Sequence, residues 1–409
     1  MGIDRDIQIV RELAKQYAEI ATKPIQDERR GLWRRHNSLE RTRPLIYVRW
    51  LAAWQEHPQA AGECEDPFWR GHETFLRQMI FQDFIQDDYV IEPWITQRAS
   101  VVTPPNGPWG VRYGHIRSNV AGGAWKNDPP IKTPQDMAAM VQPHHVIDED
   151  ATARNVERLQ DAVGDILTVN VDRSPAYTVW RADLSTDLGM LRGIDQFMLD
   201  MMDDPGFLHE LLAFMRDGVL QTQDEAEAAG DWSLANHQNQ AMPYAKELND
   251  PEPNTHGVSR NQLWVFCAAQ EFALVSPRMH EEFMFNYQIP IIEKFGLSAY
   301  GCCEDLTHKM PQLRKIPNLR RVAVVPVADV AKSAEEIGDE YVFSWRPNPS
   351  DMICCGYDPE HIRKVVREAM EASKGCHVDI TLKDVQTVGH QPELLQDWVK
   401  VVREITDEY

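Results

Sequence analysis

The chain has no uninterrupted apolar run near the ~20 residues that a membrane-spanning helix requires, so a spanning helix is not expected. Its opening residues, Met1-Gly2-Ile3-Asp4-Arg5-Asp6, lack an apolar signal core, and Asp6 stands where a myristoylation motif has Ser or Thr. A cytoplasmic protein away from membranes is the expectation. Cysteine is sparse, with seven among 409 residues and none in a C-x-x-C knuckle, which argues against the disulfide framework of small secreted domains and predicts reduced thiols. Positive charge is also short: 42 Lys and Arg face 63 Asp and Glu, a net charge of −21. Such a surface repels phosphate backbones and excludes nucleic acid as a partner. A phosphate-binding G-x-x-x-x-G-K-[ST] loop, a strand-linked G-x-G-x-x-G, a G-x-S-x-G elbow and an H-E-x-x-H helix are all missing. The nucleotide, serine-hydrolase and zincin readings therefore have no support.

What the chain does have is alternation. Residues 5 to 40 read as helix, with Ile9, Leu13, Tyr17 and Ile20 at helical spacing. Short β-branched and aromatic runs then recur at 45–50, 89–95, 166–171, 263–267, 297–302, 322–327, 341–345 and 377–382. Helical patterns, such as 196–219 and 359–372, separate most of them, which implies parallel βαβ units. Eight runs match an α/β fold of the (β/α)8 TIM-barrel type, although 231–237 offers a ninth. The expected organisation is an N-terminal helical extension over 1–43 and a single barrel over 44–409. The proline-rich stretch 103–109 reads as a stiff excursion over one barrel face.

Barrel sites gather where strands end and the following loops converge. That rule selects Trp50, Trp54, Glu92, Trp94, Asp172, Arg173, Gln270, Glu271, Cys302, Cys303, Glu304, Asp329, Arg346, Asn348, Lys383 and Asp384. Cys302-Cys303 closes an apolar run and opens a segment bearing His308. Zinc takes three or four N, S or O ligands, and Cys303, Cys302, His308 and Asp329 are the candidate set, with Glu304 and Asp384 within the same strand-end group. Of the two sulfurs Cys303 is favoured, because adjacent strand residues point to opposite faces. Burial is the competing reading, for free cysteine is often a core residue. Lys383 and Asp384 either orient a polar substrate or share a proton, or they form a solvated ion pair. Glu271 serves the site or lies at the surface. Trp50, Trp54 and Trp94, with Gln270, Arg346 and Asn348, are the candidate substrate-binding residues; the tryptophans line an apolar cavity or pack the barrel against its helices. Cys354-Cys355 and Cys376 read as packing residues.

Two segments carry a family resemblance. Ala269-Gln270-Glu271-Phe272-Ala273-Leu274-Val275-Ser276-Pro277, followed by Tyr287 and Pro290, is similar to the element of uroporphyrinogen decarboxylase-like proteins in which Ser-Pro opens a helix. Leu191-Arg192-Gly193 with Asp200 and Asp204-Pro205 resembles a second element of that family. The likeness spans about residues 40 to 409 and implies a (β/α)8 barrel, and for many such barrels a homodimer. The superfamily divides into cofactor-free decarboxylation and zinc-dependent methyl transfer among corrinoid, thiol or folate partners. The zinc branch carries H-x-C after a strand; here Tyr300-Gly301-Cys302 or Gly301-Cys302-Cys303 stands in that place and the histidine is missing. The decarboxylase branch carries an arginine-rich loop after the first strand, where this chain has only Arg49. The resemblance thus implies a methyltransferase that moves a methyl group from a small O- or N-methylated substrate to a corrinoid on a separate protein, assisted by zinc at an altered site. A metal-free decarboxylase-like lyase acting on a carboxylated substrate is the alternative.

Overall fold

Strand and helix follow from hydrophobic period, and the period-two runs set the frame. In a computed structural model, which describes residues 2–120 and 123–409, eight short strands lie in parallel pairings. They are β1 (Leu45–Val48), β2 (Trp94–Arg98), β3 (Thr168–Asp172), β4 (Trp264–Cys267), β5 (Leu297–Tyr300), β6 (Leu319–Val324), β7 (Val342–Trp345) and β8 (His377–Leu382). Six of them form one curled sheet in the order β1-β8-β7-β6-β5-β4, and β2 pairs separately with β3. The expected eight-stranded ring is therefore present as a six-stranded sheet and a two-stranded pair.

The reason lies at the free edge of β1. The backbone N–H of Ile46 donates to Asp88 Oδ2 at 2.7 Å and that of Val48 to Asp87 Oδ2 at 2.8 Å. Asp88 N–H in turn donates to the Ile46 carbonyl at 2.8 Å. Two side-chain carboxylates thus take hydrogen bonds that a neighbouring strand's carbonyls would take. This also corrects the strand expected over 89–95, which forms over 94–98 instead. The backbone of 88–91 is engaged by Trp33, Arg29 and Gln26 side chains rather than by a ladder. At the other edge, 231–237 forms no strand. It makes a short 3-10 turn, Leu234–Asn236, closed reciprocally by Ser233 and Asn236, and rejoins β4 through Gln238 N–H to the Trp264 carbonyl at 3.0 Å.

Helices α1 (Gly2–Ala21), α2 (Pro24–Asn37), α3 (Pro67–Ile85) and α4 (Glu149–Val163) cover one flank. Val10, Leu13, Trp69, Leu76, Leu159 and Val163 bury β2 and β3 through Ile95 and Val169. The single helix expected over 196–219 is two, Ile194–Asp203 and Pro205–Ala229, because Pro205 lacks an N–H and Asp204 caps the second by accepting from Phe207 N–H. The helix expected over 359–372 forms over those residues. The excursion that begins near Thr103 returns only at Ile147 and carries two antiparallel pairs, Val101–Val102 with Val146–Ile147 and Gly114–Arg117 with Trp125–Asp128. No helix among the described residues is long and apolar enough to cross a membrane.

Residues of alternate parity leave the sheet on opposite faces. Ile46, Val48, Val322, Val324, Phe343, Trp345, Ile380 and Leu382 join the main apolar core with the covering helices. The opposite face carries a buried polar cluster among smaller apolar residues. There Arg321 donates to Asp379 Oδ1 at 2.5 Å and to Ser344 Oγ at 2.8 Å, and His36 of α2 lies 3.2 Å from Asp379 Oδ2. Asn37 donates to the Met242 and Tyr244 carbonyls, each at 2.8 Å. The segment expected as an extension therefore supplies a plug for the concave face of the sheet.

Burial pushes the Asp379 carboxyl up, but the Arg321 charge and the bonds from His36 and Ser344 outweigh it and hold it below the usual carboxylate range. A depressed carboxylate contributes stability that is present above its unfolded value of about 4 and is lost as pH falls through its folded value. Asp379→Asn leaves a buried guanidinium unpaired and should cost about 3–5 kcal/mol in urea unfolding at neutral pH. An unfolding midpoint unchanged from the parent protein would show that the pair does not hold the sheet.

Candidate functional site

The strand ends converge on a pair of sulfurs. β5 stops at Gly301, whose φ of 99° lies in the left-handed region; a Cβ there would meet Leu306 Cδ1 at 2.6 Å and Ala323 Cβ at 3.0 Å. Glycine thus lets the chain turn sharply against β6. The next residues are fixed by one carboxylate. Glu304, fully buried, accepts from Ala269 N–H at 2.7 Å, Cys302 N–H at 2.8 Å and Cys303 N–H at 3.0 Å. Two successive backbone N–H groups meet one oxygen, so the backbone at the pair curls around Glu304. Burial pushes the Glu304 acid up, against those bonds.

The two sulfurs lie 3.6 Å apart. Lys383, at the end of β8 on the face that carries Asp379 and Thr381, places Nζ 3.1 Å from Cys303 Sγ and 3.5 Å from Cys302 Sγ. The same ammonium meets Asp384 Oδ2 at 2.6 Å. Arg346, beyond β7 and buried, donates to the Cys302 carbonyl and to Gln240 Oε1 at 2.7 Å. The thiol hydrogen bond from Cys303, together with the Arg346 and Lys383 charges, overcomes burial and lowers Cys302 to about 5. The same bond, with burial, raises Cys303. The shared proton thus favours the Cys303 sulfur and negative charge the Cys302 sulfur. For Lys383, burial and Arg346 act downward, yet the Cys302 charge and Asp384 leave it raised.

Beside Lys383 opens a cavity of about 270 Å³ whose walls include Tyr47, Arg49, Leu51, Met79, Gln82 and Asp384. Tyr47 and Tyr89 stack at 5.4 Å within it. Cys302, Cys303, Lys383, Asp384, Arg346 and Glu304 are thus brought together, Glu304 as the anchor beneath the pair.

The other candidates lie elsewhere. Trp50 and Trp54 are buried in an aromatic cluster behind the cavity wall, Trp50 donating to Gln82 Oε1 at 2.8 Å. Trp94 opens β2 rather than ending it, because that strand is displaced along the chain. Gln270 and Glu271 form a short turn after β4; Glu271 accepts from Ser185 Oγ and, with Thr186 and Gly189, lines a different cavity of about 480 Å³. Asn348 accepts from Ser350 N–H at 3.0 Å and shapes the loop after Arg346. His308 is exposed, and Asp329, also exposed, caps the helix Val330–Ile337 by accepting from Lys332 N–H at 3.0 Å. Gln240 went unread in the sequence, since a glutamine in an irregular loop carries no pattern.

The donors gathered are two sulfurs beside an ammonium, and among the described residues no three His, Cys, Asp or Glu side chains form a group able to hold a metal. The residues present do not fit a zinc centre of the expected composition.

No family model matches the chain, and neither does any curated protein. Among solved structures, a methyltransferase from Methanosarcina mazei aligns with 92% of this chain and 98% of its own, at a TM-score of 0.48 and 11% identity.

Cys303→Ala removes the largest cause of the lowered Cys302 titration and should raise it most, with Lys383→Met and Arg346→Met raising it less. Thiolate absorbance against pH reads this directly. A titration that stays near 5 in all three variants would show that neither the neighbouring thiol nor the cations set it.

Proposed function

We propose that the chain is a methyltransferase whose site is the paired-sulfur end of the sheet, acting by acid assistance on a small methylated substrate in the adjoining cavity. The observation that carries this reading is the Lys383 ammonium, which lies 3.1 Å from Cys303 Sγ while its side chain lines that cavity. The strand-end sulfurs stand where the methyl-transferring branch of the resembled superfamily carries its reactive site, and the eight parallel strands suit its (β/α)8 frame.

In this reading the substrate lies between the Tyr47–Tyr89 wall and Lys383. As the methyl carbon bonds to the incoming acceptor, the C–O or C–N electron pair stays on the leaving heteroatom, which takes a proton from Lys383. The thiolate on the Cys pair keeps Lys383 charged until that moment. The acceptor is a reduced corrinoid on a separate protein approaching the strand-end face, which supplies a cobalt nucleophile. Seven free thiols accord with a reducing, cytoplasmic setting.

A second reading has its own support. Arg346 lies close enough to both Arg49 and Lys383 for their charges to repel, an arrangement suited to a carboxylate, as a decarboxylase-like lyase requires.

Reduced cobalamin offered with a panel of O-methyl and N-methyl compounds should lose its characteristic absorbance for at least one donor. Lys383→Met should slow that loss by about 100-fold with the fold retained by circular dichroism. Carbon dioxide released from carboxylated members of the panel, with no cobalt methylation by any, would replace the first reading by the second.

A further inference from the structure

The sulfur pair has a property that methyl transfer does not require. Cys302 and Cys303 are sequence neighbours, yet their sulfurs face each other at 3.6 Å instead of diverging as neighbours on a strand do. The cause is Glu304, which draws both backbone N–H groups to one oxygen and so curls the chain at the pair. A disulfide requires about 2.05 Å between sulfurs, and because adjacent Cα atoms lie only ~3.8 Å apart, closing this gap takes side-chain rotation together with twisting of the Cys302–Cys303 peptide. Cys303 is exposed and its sulfur lies 3.6 Å from that of Cys302, which is buried beside two cations, so a small oxidant that reaches Cys302 does so past Cys303.

We propose that Cys302 and Cys303 form a reversible vicinal disulfide, making the strand-end pair a two-electron oxidation site for small hydroperoxides. The Cys302 thiolate attacks the peroxide: an S–O bond forms, the O–O bond breaks, and the departing alkoxide or hydroxide takes a proton from Lys383. The Cys303 sulfur then attacks the Cys302 sulfenic acid. An S–S bond forms, the S–O bond breaks, and water leaves with the Cys303 proton. Sulfur loses two electrons and the peroxide gains them; a small dithiol returns the pair to the reduced state by exchange. Lys383 serves here as acid and counter-charge. Oxidation removes the thiolate that faces it and so alters the cavity wall.

The chain contains its own control. Cys354 and Cys355 are also adjacent, yet among the described residues neither sulfur receives a hydrogen bond from lysine or arginine comparable to those from Lys383.

The test is a mass measurement on the full chain, independent of whether methyl transfer occurs. One equivalent of hydrogen peroxide at about pH 6, acid quench, alkylation and digestion should give a 302–303 peptide lighter by two hydrogens and unalkylated, restored by dithiothreitol. The 354–355 peptide should remain alkylated. Lys383→Met should slow the oxidation by about tenfold. Cys303→Ser should yield instead a Cys302 sulfenic acid trapped by dimedone; if that variant fails to fold, the parent protein's peptide masses decide alone. Alkylation of both Cys302 and Cys303 after peroxide, direct passage to sulfinic acid, or a disulfide only between separate chains would overturn the proposal.

Discussion

The sheet depends on a charge pair that has no access to water. Arg321 on β6 and Asp379 on β8 meet across Ser344 of β7, and His36 reaches the same carboxylate from α2. Hydrophobic contact alone would tolerate sliding between neighbouring parallel strands. A buried ion pair does not, since a shift in register leaves two desolvated charges without partners. The pair therefore ties three strands and one helix into a single arrangement. It also fixes the face on which the rest of β8 points: Asp379, Thr381 and Lys383 follow at period two, so the register that satisfies Arg321 is also the one that presents Lys383 to the sulfurs.

From that register the site follows by a division of labour. Glu304, fully buried, holds three N–H groups, which seats the loop end after β5. Lys383 and Arg346 then place positive charge around one seat from two other strands. The negative partners are a shared proton vacancy on the two sulfurs and, for Lys383, the Asp384 carboxylate. Glu304 is close, but burial raises its acid and its oxygens face the backbone.

The eight strand-like runs were legible from β-branched and aromatic content, and most formed within a few residues of where periodicity placed them. The exception is instructive. Tyr89-Val90-Ile91 is as strand-like as any run in the chain, yet its backbone bonds go to side chains, Arg29 and Gln26 of α2, Met242 and Asp87, and most of these are long-range facts that no local pattern holds. Among candidate site residues the strand-end rule located Cys302, Cys303, Arg346, Lys383 and Asp384 together. It misplaced Trp94 because it inherited the displaced strand. It grouped His308 and Asp329 with the sulfurs because strand-end proximity in sequence says nothing about which way a loop departs. Asp329 instead does the ordinary work of a helix cap.

The carboxylates at the edge of β1 have a consequence for the molecule's relations with its own copies. An open parallel sheet offers a row of unpaired N–H groups to any extended segment that arrives, which is how edge-to-edge aggregation begins. Here Asp87 and Asp88 occupy those donors, and Asp88 is itself gripped by Arg43 and Arg403 from the two ends of the chain. An incoming strand would have to displace two buried carboxyl groups and strip two arginines of the Asp88 counter-charge. The fold thus seals its vulnerable edge electrostatically, and the residues that do so bind the chain's first strand to its last helix.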